Sequence, residues 1–361
     1  MSRAPDVSRT EGTQAMSAIR HPPDDPSCPG IDPVPAGRLR PFWSVMIPTY
    51  VETRFLEQAL RSVLRQDPGP DEMQIEVVDD ASPQGEAETI TAAIGGGRVA
   101  FHRHPVNVGL ANNFTACVRR SHGRIVHILH QDDFVLPEFY RSMRRRIEEH
   151  PECGIFMGRA LMVDSSGRLL AKSSRLHGTS GAQRDYYRLL SRENRAICPS
   201  VLVRREVYET VGGFEPGLNL AVDWEMWMRA SGVTQVWCED RAVTAYRRHS
   251  RQASARFHSD AIGESRAALS FVAARLPLAD KARFHRLALR YLARLAMYHA
   301  LAYLWRGRWG EGRRFIREAH TCHPSWPVLL AQGLHAGCLG LLRKVSRRLT
   351  TLRGKDVFPA I

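Results

Sequence analysis

Apolar residues along this chain alternate between two rhythms. Short apolar runs at Ser44–Pro48, Ile75–Val78 and Val99–Arg103 are separated by segments with apolar positions at helical spacing. The clearest of these is Phe55–Gln66, with Phe55, Leu56, Ala59, Leu60, Val63 and Leu64 in register. A second, Leu110–Ser121, is closed by Gly123, and a Pro/Gly break at Asp67–Pro70 separates the first helix from the next strand. A strand covered on both faces reads as a continuous hydrophobic run, whereas a surface helix carries a stripe. Strands alternating with helices in this way predict βαβ units, hence an α/β class with a mixed, mostly parallel sheet flanked by helices.

The run at Ile125–Phe134 carries candidate chemistry. Mostly apolar residues lead directly into Gln131, Asp132 and Asp133. Ligands of open α/β sheets gather beyond the carboxyl ends of the strands. Adjacent carboxylates there suit a hard divalent cation shared with phosphate oxygens, although a solvated acidic turn before a helix near Pro137 fits the same letters. Three further polar clusters recur at element ends: Pro48-Thr49-Tyr50, Asp79-Asp80-Ala81-Ser82 and Asp223-Trp224-Glu225. Neither a G-x-G-x-x-G nor a P-loop signature occurs, so a bound diphosphate calls for another device, of which a carboxylate-held metal is the simplest.

Beyond residue 154 the pattern is mixed. Strands are expected at Ile155–Val163 and Val233–Tyr246, and helices at Arg204–Val211, stopped by Gly212-Gly213, and at Asp223–Ala230. After residue 260 the chain turns helical and basic; Leu287–Trp305 and Gly312–His320 fit a helical hairpin that must pack on the main domain, since one such unit cannot bury its own face.

Composition narrows the partners. The chain has 361 residues and a formal net charge of +14, a surplus that favours anionic ligands or surfaces. No helix-turn-helix, zinc or aromatic RNA-binding signature accompanies it, so no nucleic-acid partner is expected. The seven cysteines form no C-x-x-C pair, which fits a reducing cytoplasm. Residues 1–41 are polar and Pro-rich and read as a disordered leader. Trp326–Leu342 is apolar but broken by glycines, Gln332 and His335, and it precedes a run of arginines and lysines. That pairing suggests peripheral contact with an anionic membrane at the inner face of the plasma membrane, not a span, and fits equally well a segment packed on the catalytic domain with a solvated basic run.

The segments SVMIPTY, EVVDDAS, NVGLANN, ILHQDDF, GGFEP, VDWEMWMR and YRRHSRQAS occur in the order found in family 2 glycosyltransferases with the GT-A fold. Over roughly residues 42–255 the chain resembles that family, which implies a GT-A domain at 42–258 followed by a basic helical extension at 259–361. The resemblance implies an inverting, metal-dependent transfer from a nucleotide-diphosphate sugar to a hydroxyl of a glycan or lipid-linked acceptor, with a role in bacterial cell-wall or polysaccharide synthesis. It places Pro48, Thr49, Tyr50 and Glu52 against the nucleotide, together with Asp79, Asp80, Asn107 and Gly109. Asp80 matches the position that accepts a hydrogen bond from the base; Asp79 supports the turn, and a purely turn-forming role fits it equally well. Asp132 matches a ribose or sugar contact, Asp133 the Mg²⁺ or Mn²⁺ ligand, and His249 a further metal or diphosphate contact. Arg247 and Arg248 lie alongside it and suit cations that offset leaving-group charge.

Asp223 matches the general base, and as an Asp beside a helix start it also suits an N-cap. Two positions depart from the family pattern: Gln131 stands where the first acid of D-x-D is usual, and Val222 precedes Asp223 in place of Glu. Trp224, Trp227 and Met228 fit either an acceptor pocket or the core, with Trp227 read as core. The competing readings are a nucleotidyltransferase, which needs a Gly-rich N-terminal loop that SVMIPTYVETRF lacks, and a basic nucleic-acid-binding protein.

Overall fold

The computed structural model describes residues 29–252, 261–276, 281–325 and 357–358. The first strand, β1 (Trp43–Thr49), is central and buried throughout. It pairs in parallel with β2 (Met73–Asp79) and β4 (Ile125–Ile128), and β2 pairs in parallel with β3 (Ala100–Arg103). The helices α1 (Leu56–Leu64), α2 (Glu86–Gly95) and α3 (Leu110–Arg120) are the crossovers. Beyond β4 the sheet turns antiparallel through β9 (Val201–Arg204) and β6 (Cys153–Val163). The long β10 (Gln235–Arg247) lies parallel to β6 and antiparallel to β5 (Phe134–Val135) and β8 (Gly181–Gln183). The edge strand β7 (Leu169–Ser173) pairs with β6 and with β11 (Val357–Phe358).

Side chains of β1 divide between two apolar layers: Met46 faces one, Trp43, Val45 and Ile47 the other. This alternation is the period of two that a strand buried on both faces exploits. α4 (Phe139–Glu149) and α1 cover the second layer through Tyr140, Met143, Leu56 and Leu60. The first layer is covered by α3, α6 (Arg205–Val211) and α7 (Val222–Ala230), and by three helices from the C-terminal part of the chain. Those are α8 (Ala261–Arg275), α9 (Lys281–Trp305) and α10 (Trp309–Cys322). Phe284, Ala288, Leu292 and Phe315 join Trp224 and Trp227 in one core cluster, so the helical hairpin does pack on the sheet domain. A short α5 (Tyr187–Leu190) completes the helices.

The expected elements hold, with shifted ends, while α2, α5, β7, β8 and β9 are elements the sequence pattern did not predict. In α2 only Ala87, Thr91 and Gly95 are fully buried, with Ile90 and Ile94 packed on the core from its margin. Residues 29–41, expected within a disordered leader, instead lie against the domain: Ile31 is buried, and Gly213 N–H donates to the Pro29 carbonyl at 2.7 Å. Arg205 likewise donates to the Asp32 carbonyl at 3.1 Å. Trp326–Leu342 and the basic run after it lie outside the described residues. No helix among the described residues is long and apolar enough to cross a membrane.

Candidate active site

The polar clusters converge at the carboxyl ends of β1, β2 and β4. At the end of β2, Asp79 is fully buried and its acceptor capacity is spent internally. Oδ1 accepts the Thr49 hydroxyl at 3.0 Å and the Ser82 hydroxyl, and Oδ2 accepts Ser82 N–H at 3.0 Å. Asp79 therefore welds the β1 and β2 turns together, as the turn-forming reading of this residue expects. Asp80 is buried too. Its Oδ1 accepts Val108 N–H at 2.6 Å, while Oδ2 accepts Gly109 N–H at 3.0 Å and the Asn107 amide at 3.1 Å. Its carboxylate thus fixes the Asn107–Gly109 loop at the mouth of α3.

The β1 turn is strained. Val51 has φ 59 and Ala81 has φ 56, a left-handed conformation that a β-branched residue adopts at a cost of about 1–3 kcal/mol. The two strained turns face each other, with Val51 N–H donating to the Ser82 hydroxyl at 2.9 Å. Such outliers persist where surrounding contacts over-determine them. Gln131 supplies one such contact: its Oε1 accepts Tyr50 N–H at 3.3 Å and its Nε2 donates to the Tyr50 carbonyl at 3.1 Å. A carboxylate cannot donate, so only an amide at position 131 makes both bonds. Tyr50 itself is 41% exposed beside this clasp, and Pro48 is buried in β1. Glu52 sits between Arg54 and Arg251, at 3.6 and 3.4 Å.

Asp133 lies where β5 begins, directly opposite the end of β10. Its Oδ1 accepts Arg247 N–H at 2.8 Å. Its Oδ2 has no hydrogen-bond partner although it is buried, and His130 Nδ1 stands 3.4 Å away. Burial, reinforced by the neighbouring Asp132, pushes the Asp133 carboxyl up to about 6. A buried anionic oxygen whose nearest partner is an imidazole at 3.4 Å still has room for a cation, which would offset its desolvation. His130, Asp132 and Asp133 offer ligand atoms within 4.8 Å of one another, a donor set that suits a divalent ion.

Two residues singled out in the sequence meet protein partners here. His249 is buried and its Nε2 meets Asp132 Oδ2 at 2.9 Å, so it pairs with Asp132 while His130 stands beside Asp133. Position 130 precedes the QDD cluster directly, and that adjacency was the only signal for it in the sequence. Arg247 is turned inward. Its guanidinium donates to the carbonyls of Asp132, Asp164 and Ser165 at 3.0, 3.1 and 3.2 Å and to the Gln58 side chain. It also lies 4.2 Å from the Phe55 ring centroid. With these contacts the guanidinium braces the backbone under the aspartates.

Asp223 rides in the first turn of α7, which begins at Val222 with Ala221 as its N-cap, so Asp223 is not the cap itself. Its Oδ1 accepts Trp224 N–H at 2.6 Å. Burial pushes the Asp223 carboxyl up to about 6, against the opposing pull of His130, which places the two within electrostatic reach. Val222 is buried in the core, where an acid would be desolvated. Trp224 and Met228 are buried with Trp227, and Trp224 Nε1 donates to the Leu190 carbonyl at 2.9 Å, so all three are core and none lines an open pocket.

Comparisons with known proteins agree with this architecture. Residues 44–212 match the family model described as glycosyl transferase family 2. An uncharacterized Mycobacterium tuberculosis protein (strain CDC 1551 / Oshkosh), MT1568, is 28% identical over 201 residues, 53% of this chain and 62% of that protein. The chain thus spans less than two-thirds of that relative. Residues 1–349 of S. aureus TarS, solved with UDP-GlcNAc, superpose with a TM-score of 0.57 at 15% identity, covering 77% of this chain and 91% of that one. The mannosyltransferase PcManGT from Pyrobaculum calidifontis, solved with GDP-Man and Mn²⁺, gives 0.54 at 19% identity over 94% of this chain and 89% of its own. At those identities the likeness to the solved structures carries the fold, a mostly parallel sheet flanked by helices, and over residues 44–212 the chain matches glycosyl transferase family 2.

Proposed function

We propose that the protein transfers a sugar from a nucleotide-diphosphate donor to an acceptor hydroxyl, with inversion at the anomeric carbon and with a divalent cation at Asp133. The observation that carries this reading is the buried Oδ2 of Asp133, which makes no close hydrogen bond and faces His130 Nδ1 at 3.4 Å, with Asp132 alongside. TarS with UDP-GlcNAc and PcManGT with GDP-Man and Mn²⁺ add support from the same fold. The nucleotide rests against Pro48–Glu52 and the Asn107–Gly109 loop, with Tyr50 exposed to it and Asp80 holding the loop in place. Asp79 serves the pocket by fixing both turns. Asp133, with Asp132 and His130 or His249 alongside, holds Mg²⁺ or Mn²⁺. That ion, when bound, neutralises charge developing on the departing diphosphate.

The chain's own residues then do the rest. Asp223 accepts the proton of the acceptor hydroxyl as its oxygen bonds to the anomeric carbon and the bond to the diphosphate oxygen breaks. The nucleoside diphosphate leaves from the opposite face. A positioned base of this kind contributes about 10²–10⁴-fold. A carboxyl raised to about 6 remains ionised at neutral pH yet is basic enough to take the proton. The acceptor class we infer is a glycan or lipid-linked hydroxyl. Screening UDP-, TDP- and GDP-sugars for transfer and hydrolysis, with Mn²⁺, with Mg²⁺ and with EDTA, tests the proposal. Turnover of any donor that survives EDTA undiminished would overturn the metal assignment, and turnover of none would overturn the reaction.

A further inference from the structure

The helix α9 contains no acidic residue in 25 positions, and none follows it before Glu311. Its buried side, Phe284, Ala288, Leu292, Ala296 and Ala300, is used up by the core. Its outer side is a single stripe at helical spacing: Arg283, Arg286, Arg290 and Arg294, continued by Tyr298, Leu301 and Trp305, every one of them exposed. The turn into α10 adds Arg306 and Trp309. Trp305 is 81% and Trp309 64% exposed, unusual for the two largest amphipathic side chains in one short turn. Arg308, between them, is taken by Glu311 at 2.9 Å.

We propose that this face of α9, with the Trp305–Trp309 turn, docks on the surface of an anionic lipid bilayer. Arginines along the shaft meet the anionic headgroups, and the indoles at the tip settle at the boundary between headgroups and acyl chains. Two features favour a lipid surface over a soluble polyanion. The aromatic residues are gathered at one end of the stripe, where tryptophan and tyrosine find both an apolar bed and a polar rim. The cations are spread over the rest, where they are attracted to anionic headgroups within a Debye length. The contact is peripheral, since the apolar side of α9 is already committed to the protein core. It is independent of the transfer reaction and of the basic run after Trp326–Leu342.

The test uses the full chain and sedimentation with large vesicles of phosphatidylcholine, alone or with added phosphatidylglycerol. Binding is expected only with phosphatidylglycerol, weakening about tenfold or more on passing from low to high salt. The pair Trp305→Ser and Trp309→Ser should lose about tenfold in vesicle affinity while melting at the parent temperature, because both positions are exposed. The triple change Arg286→Gln, Arg290→Gln and Arg294→Gln should abolish the preference for anionic lipid. Unchanged vesicle binding by both variants, with loss on replacing Arg343, Lys344, Arg347 and Arg348, would assign attachment to the tail and overturn the proposal. Binding to inorganic polyphosphate but not to vesicles would overturn it in favour of a polyanionic ligand. A dimer by light scattering that the tryptophan pair dissolves would overturn it in favour of a second copy of the chain.

Discussion

Glu264 grips the backbone just ahead of Ala221. From the first turns of α8 its Oε1 accepts Ala221 N–H at 2.8 Å and Asn219 N–H at 2.6 Å. These donors precede α7, where unsatisfied N–H groups need an acceptor and no side chain of the helix itself caps them. Eleven residues further along α8, Arg275 meets Glu215 at 2.6 Å with both side chains buried. One helix from beyond residue 260 therefore holds both ends of the segment that delivers Asp223.

Glu264→Ala should free that segment. Amide exchange at Asn219 and Ala221 should accelerate, and turnover should fall by about tenfold while donor affinity changes little, the pattern of a lost positioning contact. Glu264→Gln retains an acceptor oxygen and should recover most of both. Faster exchange with unaltered turnover in Glu264→Ala would separate the clamp from the chemistry.

Asp223→Asn should be a slower enzyme and a more stable protein. The variant keeps an oxygen for Trp224 N–H but cannot take a proton, so kcat should drop by about 10²-fold or more with donor binding intact. For stability the sign follows from burial. The folded carboxyl titrates near 6 and an unfolded one near its ordinary value of 3.8, so the native state binds the extra proton between those limits. The stability this provides is present below the unfolded value and lost as pH rises through 6. The melting-temperature gain of Asp223→Asn over the parent should therefore grow from pH 4 to pH 6 and then level off, measured by calorimetry across that range. In the parent enzyme, kcat should fall on acidification below about 6.

The central strands β1, β2 and β4 were legible in the sequence because they are buried and read as plain apolar runs, whereas the partly exposed β7 and β8 were not. Asp79, Asp80, Asp132 and Asp133 could be placed at strand ends for that reason alone. α2 was not read from the sequence: its face at Ala87, Ile90, Thr91 and Ile94 has helical spacing, but only small or polar side chains on it are fully buried. Nor was the fate of Arg247, whose acceptors come from Gln58, Asp132, Asp164 and Ser165, far apart in the chain. His130 and His249 illustrate the same limit. Both lie near the aspartates in sequence order or motif, and only the pairing of β5 with β10 decides which carboxylate each one meets. Glu264 reaches its partners from more than forty residues away, a contact that no local pattern encodes.

Arg247→Met should act on the fold before it acts on the donor. The buried guanidinium satisfies three backbone carbonyls and the Gln58 side chain, so its removal leaves acceptors unpaired beneath Asp132 and Asp133. A loss of about 3–5 kcal/mol is expected from breaking such a buried charged network. Denaturant unfolding measures it. A variant with parental stability but weakened diphosphate binding would return Arg247 to the leaving-group role.

Asp133→Ala should remove the cation dependence of nucleotide binding. In the parent, calorimetric titration of UDP, TDP or GDP should yield tight binding with Mn²⁺ or Mg²⁺ and much weaker binding with EDTA, because the ion links Asp133 to the phosphate oxygens. In the variant, the affinity with metal should fall to the EDTA level and transfer should cease. The substitution also deletes a buried carboxylate whose Oδ2 makes no hydrogen bond closer than the 3.4 Å contact with His130, so the metal-free protein should not be destabilised in proportion. Loss of the Arg247 N–H contact at Oδ1 offsets part of that gain. Asp132→Ala, which frees His249 but leaves Asp133 in place, should weaken metal-dependent binding less. Equal nucleotide affinity with and without EDTA in the parent would falsify the cation site, whatever the variants do.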